Sequence, residues 1–238
     1  MFIEAAFFTT MSTLVRQISH PPNEERIRGI FLDKIYEQFQ LLHWDKAGIY
    51  SQCNYDHDKR FKADLKIKYL GLPGMELLSD YGIKQENWIE IKYYNQQGST
   101  RIDQEIKKDI LRLCLLIEEH QEKHRDNGRY LLLVCNAKNN KSQFIKDLYK
   151  PGKGAISFEE IFGLKRCTIQ MDTLQILPNK NTIFGSRYDA SLINIKHFKV
   201  CDDKQEFEYK PMLEEEDLKN QKAIISIFTG NLRSKKHK

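Results

Sequence analysis

Between residues 60 and 94 the chain twice alternates apolar and polar positions. Phe61, Ala63, Leu65 and Ile67 interleave with Lys62, Asp64 and Lys66, and after a glycine-containing connection Trp88-Ile89-Glu90-Ile91-Lys92-Tyr93 alternates again. A period of two is that of a strand buried on one face, so both stretches predict half-buried strands. The same period puts Asp64 with Lys62, Lys66 and Lys68 on one face, and Glu90 with Lys92 on one face of the second strand. As neighbours in register, the two strands would bring two carboxylates and an amine together.

The pattern around this pair predicts a mixed α/β fold, with a mixed central sheet flanked by helices. Residues 1–22 form an N-terminal segment in which His20-Pro21-Pro22 stops any helix. Asn23 is placed to cap a new helix over 24–42, whose apolar stripe is Ile27, Ile30, Phe31, Ile35, Phe39 and Leu42. Glu24 falls on the apolar face of that helix and Glu37 at its edge. An acid there is either a functional group or a first-turn device that favours the helix dipole.

Ala47 to Cys53 predicts a first strand. Residues 101–124 predict a helix with the stripe Ile102, Ile106, Ile110, Leu113 and Ile117, stopped by Asn127-Gly128. Tyr130 to Cys135 is a continuous apolar run, as expected of a sheet centre covered on both faces. The core is thus bounded at 23–136. Residues 137–232 predict α+β additions packed on it: a capping box at Ser157-Phe158-Glu159-Glu160 for a short helix through Phe162, strand-like runs over 165–212 that include Leu192-Ile193-Asn194-Ile195, and a last element near 223–228. Residues 233–238 are a basic tail.

Composition narrows the class. At 238 residues the chain can bury a full core without staples. Thirty-eight basic against 33 acidic residues give a formal charge of +5, compatible with a polyanionic partner. Five cysteines, odd in number and without a CxxC pair, point to reduced, buried thiols rather than a disulfide framework or zinc site. No apolar run reaches the length of a membrane span, which excludes a membrane partner, and Glu4 stands where a secretory signal needs positive charge. The expected location is the cytoplasm.

The chemistry sits on the two alternating strands. Mg²⁺ or Mn²⁺ takes hard oxygen ligands, usually one or two carboxylates, and leaves other positions to water and phosphate. Asp64 and Glu90 can supply the carboxylates and Ile91 a backbone carbonyl, while Lys92 is near enough to orient a water or offset developing negative charge. His120 and His124 lie one helical turn apart without an HExxH order, and Lys150-Pro151-Gly152-Lys153-Gly154 lacks the spacing of a phosphate-binding loop.

In Ala63-Asp64 and Glu90-Ile91-Lys92, with a helix before and a helix and strand after, residues 23–136 resemble the PD-(D/E)xK nuclease superfamily, the restriction-endonuclease-like fold. Ala63 stands where the family's name has proline, and the interval from Asp64 to Glu90 is long. The resemblance implies a metal-dependent endonuclease acting on DNA, of a restriction or defence type. Asp64 and Glu90 would bind the metal, Lys92 would assist the water, and Glu24 would be the first-helix acid that reaches the site. A duplex cutter of this size needs two events or a homodimer. The alternative on the same fold is an inert nucleic-acid-binding or assembly module.

Overall fold

A computed structural model describes residues 2–16, 22–41, 47–54, 62–69, 86–95, 100–114, 128–136, 141–161, 164–176, 188–201 and 206–208. The expected last element near 223–228, the basic tail, His120 and His124 lie outside them. In chain order the described elements are α1 (Phe2–Arg16), α2 (Glu24–Leu41), β1 (Ala47–Asn54), β2 (Lys62–Tyr69), β3 (Glu86–Tyr94), α3 (Thr100–Cys114), β4 (Gly128–Asn136), α4 (Gln143–Leu148), β5 (Gly152–Ile161), β6 (Leu164–Ile176), β7 (Tyr188–Cys201) and β8 (Glu206–Glu208).

All eight strands belong to one sheet, in the order β1-β2-β3-β4-β7-β6-β5, with β8 paired to β7. β3 and β4 are parallel and every other pair is antiparallel. The fold is mixed α/β, as the hydrophobic pattern predicts. The parallel step needs a crossover, and α3 supplies it.

Each face of the sheet carries its own core. On one, Phe7 and Met11 of α1 and Ile27, Phe31 and Ile35 of α2 cover Leu65, Ile67, Ile89, Ile91, Leu132 and Leu192. On the other, Ile106, Ile110 and Leu113 of α3 and Ile145 and Leu148 of α4 cover Trp88, Leu131, Leu133 and Ile193. β4 lies between β3 and β7, which is why its apolar run is unbroken: alternate residues enter opposite cores. Gly128 belongs to this strand rather than to a helix stop. A Cβ there would lie 2.2 Å from Asn87 Oδ1 and 2.7 Å from Tyr130 Cε2, so the side chains packed against Gly128 leave no room for one as they stand.

Two stretches differ from the sequence-based expectation. The N-terminal segment holds a buried helix, α1, whose Phe2 ring lies 4.7 Å from that of Phe39 at the far end of α2. Residues 157–161 are strand, not helix: Ser157 pairs with Thr168 and Phe158 with Cys167 in the β5–β6 ladder. A capping box satisfies two amides locally, but a helix of a turn or so is marginal by itself, whereas the ladder bonds along the whole strand. Through β7, the strands β5 and β6 extend the same sheet that holds β2 and β3. Among the described residues no helix is long and apolar enough to cross a membrane.

Candidate functional site

β2 and β3 run side by side only as far as Leu65↔Ile89. Beyond that pair, Lys62 and Ala63 of β2 stay with β1, and residues 90–94 of β3 pair, among the described residues, with β4 alone. Among the described residues the parting leaves the outer edge of β3 without a backbone partner. A buried amide without a partner is costly, and here two carboxylates meet it. Asp64 Oδ2 accepts from Ile91 N at 2.8 Å, and Glu24 Oε1 accepts from Tyr93 N at 3.3 Å.

In an extended strand a residue's carbonyl leaves by the same edge as its amide. The Ile91 carbonyl therefore lies on that edge between the amides held by Asp64 and Glu24. Glu24 is free for this task because Asn23 does the capping: its Oδ1 accepts from Arg26 N at 2.8 Å, and its carbonyl from Ile27 N at 3.0 Å.

Lys92 crosses from one layer to the other. Its Nζ lies 3.2 Å from Asp109 Oδ2 on α3 and 3.6 Å from Glu24 Oε2 on α2. Asp109 is almost fully buried and also holds Arg112. Burial works to lower the Lys92 pKa, but the negative charges of Asp109, Glu24 and Glu90 outweigh it and hold the group well above the ordinary lysine value. Lys92 is thus an ammonium at any physiological pH. Burial raises Glu24 against the pull of Lys92 and the Tyr93 amide, and burial raises Asp109 against Lys92 and Arg112.

Asp64 is held by two further donors on its other oxygen: Gln52 Nε2 at 3.0 Å and Arg28 Nη1 at 3.3 Å. Gln52 has φ 54°, a left-handed conformation unusual for a side chain with a Cβ. The pairs on either side of it, Ser51↔Leu65 and Cys53↔Ala63, are kept while its own with Asp64 is not. The local departure in β1 turns the Gln52 amide onto the Asp64 carboxylate.

Of the residues singled out by sequence, Asp64, Lys92, Glu24 and Ile91 meet at this parting. Glu90 follows Ile89, the last residue of β3 paired to β2, is buried, and acts on Lys92 through its charge. Lys66 and Lys68, expected on the face of Asp64, are drawn instead to Glu86, at 3.2 and 3.0 Å. Glu37 pairs with Lys34 at 2.5 Å, away from the site. Lys150 takes Asp147 at 2.6 Å, and Gly152 opens β5.

Sequence reasoning missed Arg28, Gln52 and Asp109. Asp109 had a visible signal, an acid inside the apolar stripe between Ile106 and Leu113. Arg28 follows Glu24 by one helical turn and so shares its side of α2. Gln52 had none, because its role depends on a backbone conformation.

No family model, curated protein or solved structure matches the chain. What can be said of the chemistry comes from the donor set. Asp64, Glu24 and the Ile91 carbonyl offer hard oxygens along one strand edge. Among the described residues no three His, Cys, Asp or Glu side chains are gathered as a ready metal cage. A cation that keeps several waters and uses one or two carboxylates, as Mg²⁺ does, is the type these donors fit.

Proposed function

We propose that the protein is a metal-dependent nuclease that hydrolyses DNA phosphodiester bonds, with a restriction-endonuclease-like core at 23–136. The observation that carries this reading is the parting of β2 and β3, where Asp64 and Glu24 hold successive outward amides of β3 and the Ile91 carbonyl lies between them. Asp64 and Glu90, with the Ile91 carbonyl, would hold Mg²⁺ or Mn²⁺, and Glu24 would reach the same edge from α2. The bound ion would supply an activated water and polarise the phosphate.

The protein's own contribution is electrostatic. Lys92, fixed by Asp109, donates hydrogen bonds to a water or phosphate oxygen and offsets negative charge as it develops. Asp109 positions it from the opposite layer, so the ammonium stays when Glu24 turns to another partner. The charge of +5 suits a polyanionic substrate.

Plasmid and linear DNA incubated with Mg²⁺ or Mn²⁺ should be cut by the native chain. Asp64→Ala and Lys92→Ala should each lower the rate by about a hundredfold or more, the usual scale for one electrostatic group. Equal cutting by native protein and both variants would sink the assignment. Salt-dependent DNA binding with no cleavage under any divalent cation would instead support an inert nucleic-acid-binding module.

A further inference from the structure

Arg28 has no part in the chemistry so far, yet its guanidinium stands against the carboxylate on which the proposed site depends. A carboxylate has about two acceptor positions per oxygen. On Asp64, Oδ1 is taken by Gln52 and Arg28, and Oδ2 by the Ile91 amide. A cation at Asp64 must use the remaining position, beside a fixed positive charge, or displace the weaker donor. Arg28 is that donor: its contact is the longest of the three, at 3.3 Å, and its side chain is about a fifth exposed.

We propose that Arg28 is a phosphate-binding residue held in reserve by Asp64, released when a divalent cation takes the carboxylate and then bonded to the substrate phosphate. The proposal rests on the nuclease reading above. Its chemistry follows from the guanidinium, a planar fork that matches phosphate as well as carboxylate and never loses its charge. One helical turn separates Arg28 from Glu24, so the released group remains on the side of α2 that faces the parting. The exchange gives order to the site. The anion is neutralised by arginine when the cation is absent, and the arginine is offered to phosphate only when the cation is present.

The test separates this from the parent reading. Mn²⁺ binding is measured by electron paramagnetic resonance on the full chain, without DNA, for native protein, Arg28→Gln, Arg28→Lys and Asp64→Ala. Removal of the competing charge should tighten Mn²⁺ binding in Arg28→Gln by about tenfold, whereas Arg28→Lys, which keeps the charge, should bind as the native chain does. On DNA both variants should cut at least tenfold more slowly, because neither presents the fork to phosphate.

A structural role alone would not tighten metal binding. Arg28→Gln that binds Mn²⁺ no better than native protein, or cuts DNA at the native rate, overturns the role of Arg28 while native binding and cleavage uphold the nuclease reading. Native protein that neither binds Mn²⁺ in a manner lost with Asp64→Ala nor cuts DNA overturns the reading and this inference with it. Should Arg28→Gln fail to fold, Arg28→Lys decides: native Mn²⁺ affinity with impaired cutting supports the exchange, and unimpaired cutting overturns it.

Discussion

At Glu86 burial disfavours the charged carboxylate, but hydrogen bonds and charge from Lys68 and Lys66 outweigh it and hold the pKa below its ordinary value. A carboxylate whose pKa falls on folding stabilises the folded state above its unfolded pKa, and that contribution is lost as pH falls through the lowered value. Because all three side chains are partly exposed, solvent screening keeps the effect small. Glu86→Gln should lower stability by about 1 kcal/mol at neutral pH. In urea unfolding the difference should narrow as the pH drops below the ordinary glutamate range; a deficit constant with pH would mean that the charge pairs contribute nothing. The sequence placed Lys66 and Lys68 on a strand face with Asp64. Which acid they meet is decided by β2–β3 register, where Lys66 lies opposite Trp88 and Lys68 opposite Glu86.

The buried Arg129 of β4 donates from its Nε to Leu113 O of α3 at 3.0 Å. This ties the crossover helix to the strand that follows. Arg129→Met keeps much of the volume and removes the donor, so it should cost about 1–3 kcal/mol. Amide exchange over 110–114 should rise more than exchange in β7; equal protection in both chains would show that the contact does not anchor the helix. The amphipathic stripe of α3 is legible in the sequence, because each residue's side of the helix follows from its position alone. β5 is not: its local capping signal is real, and the partner strand that overrides it follows in the chain as β6.

One sheet with a core on each face ties the layers into a single unit. Phe7 is fully buried in the α1–α2 layer and Leu133 fully buried under α3 and α4. Phe7→Ala and Leu133→Ala should each cost about 3–5 kcal/mol. Both should move one cooperative urea transition without splitting it, because β4 contributes residues to both cores. An early separate transition in Phe7→Ala, followed by fluorescence and circular dichroism, would show that the α1–α2 layer unfolds while the sheet persists. At this scale α1 was missed although Ile3, Phe7, Met11 and Leu14 recur at helical spacing and form its buried side.

The sequence by itself determined what depends on periodicity and end chemistry: α2 and its Asn23 cap, the alternation of β2 and β3, the doubly covered β4, and the acids and amine on the two strands. Tertiary structure decided where β2 leaves β3. That parting exposes the amides of Ile91 and Tyr93, and the need to satisfy them draws Asp64 and Glu24 to one edge. It also decided which charges neutralise the acids, from Arg28 on one helix layer to Asp109 and its hold on Lys92 from the other. Side-chain period is a local property of the backbone. The end of a ladder, and the partners gathered there, depend on segments far apart in the chain.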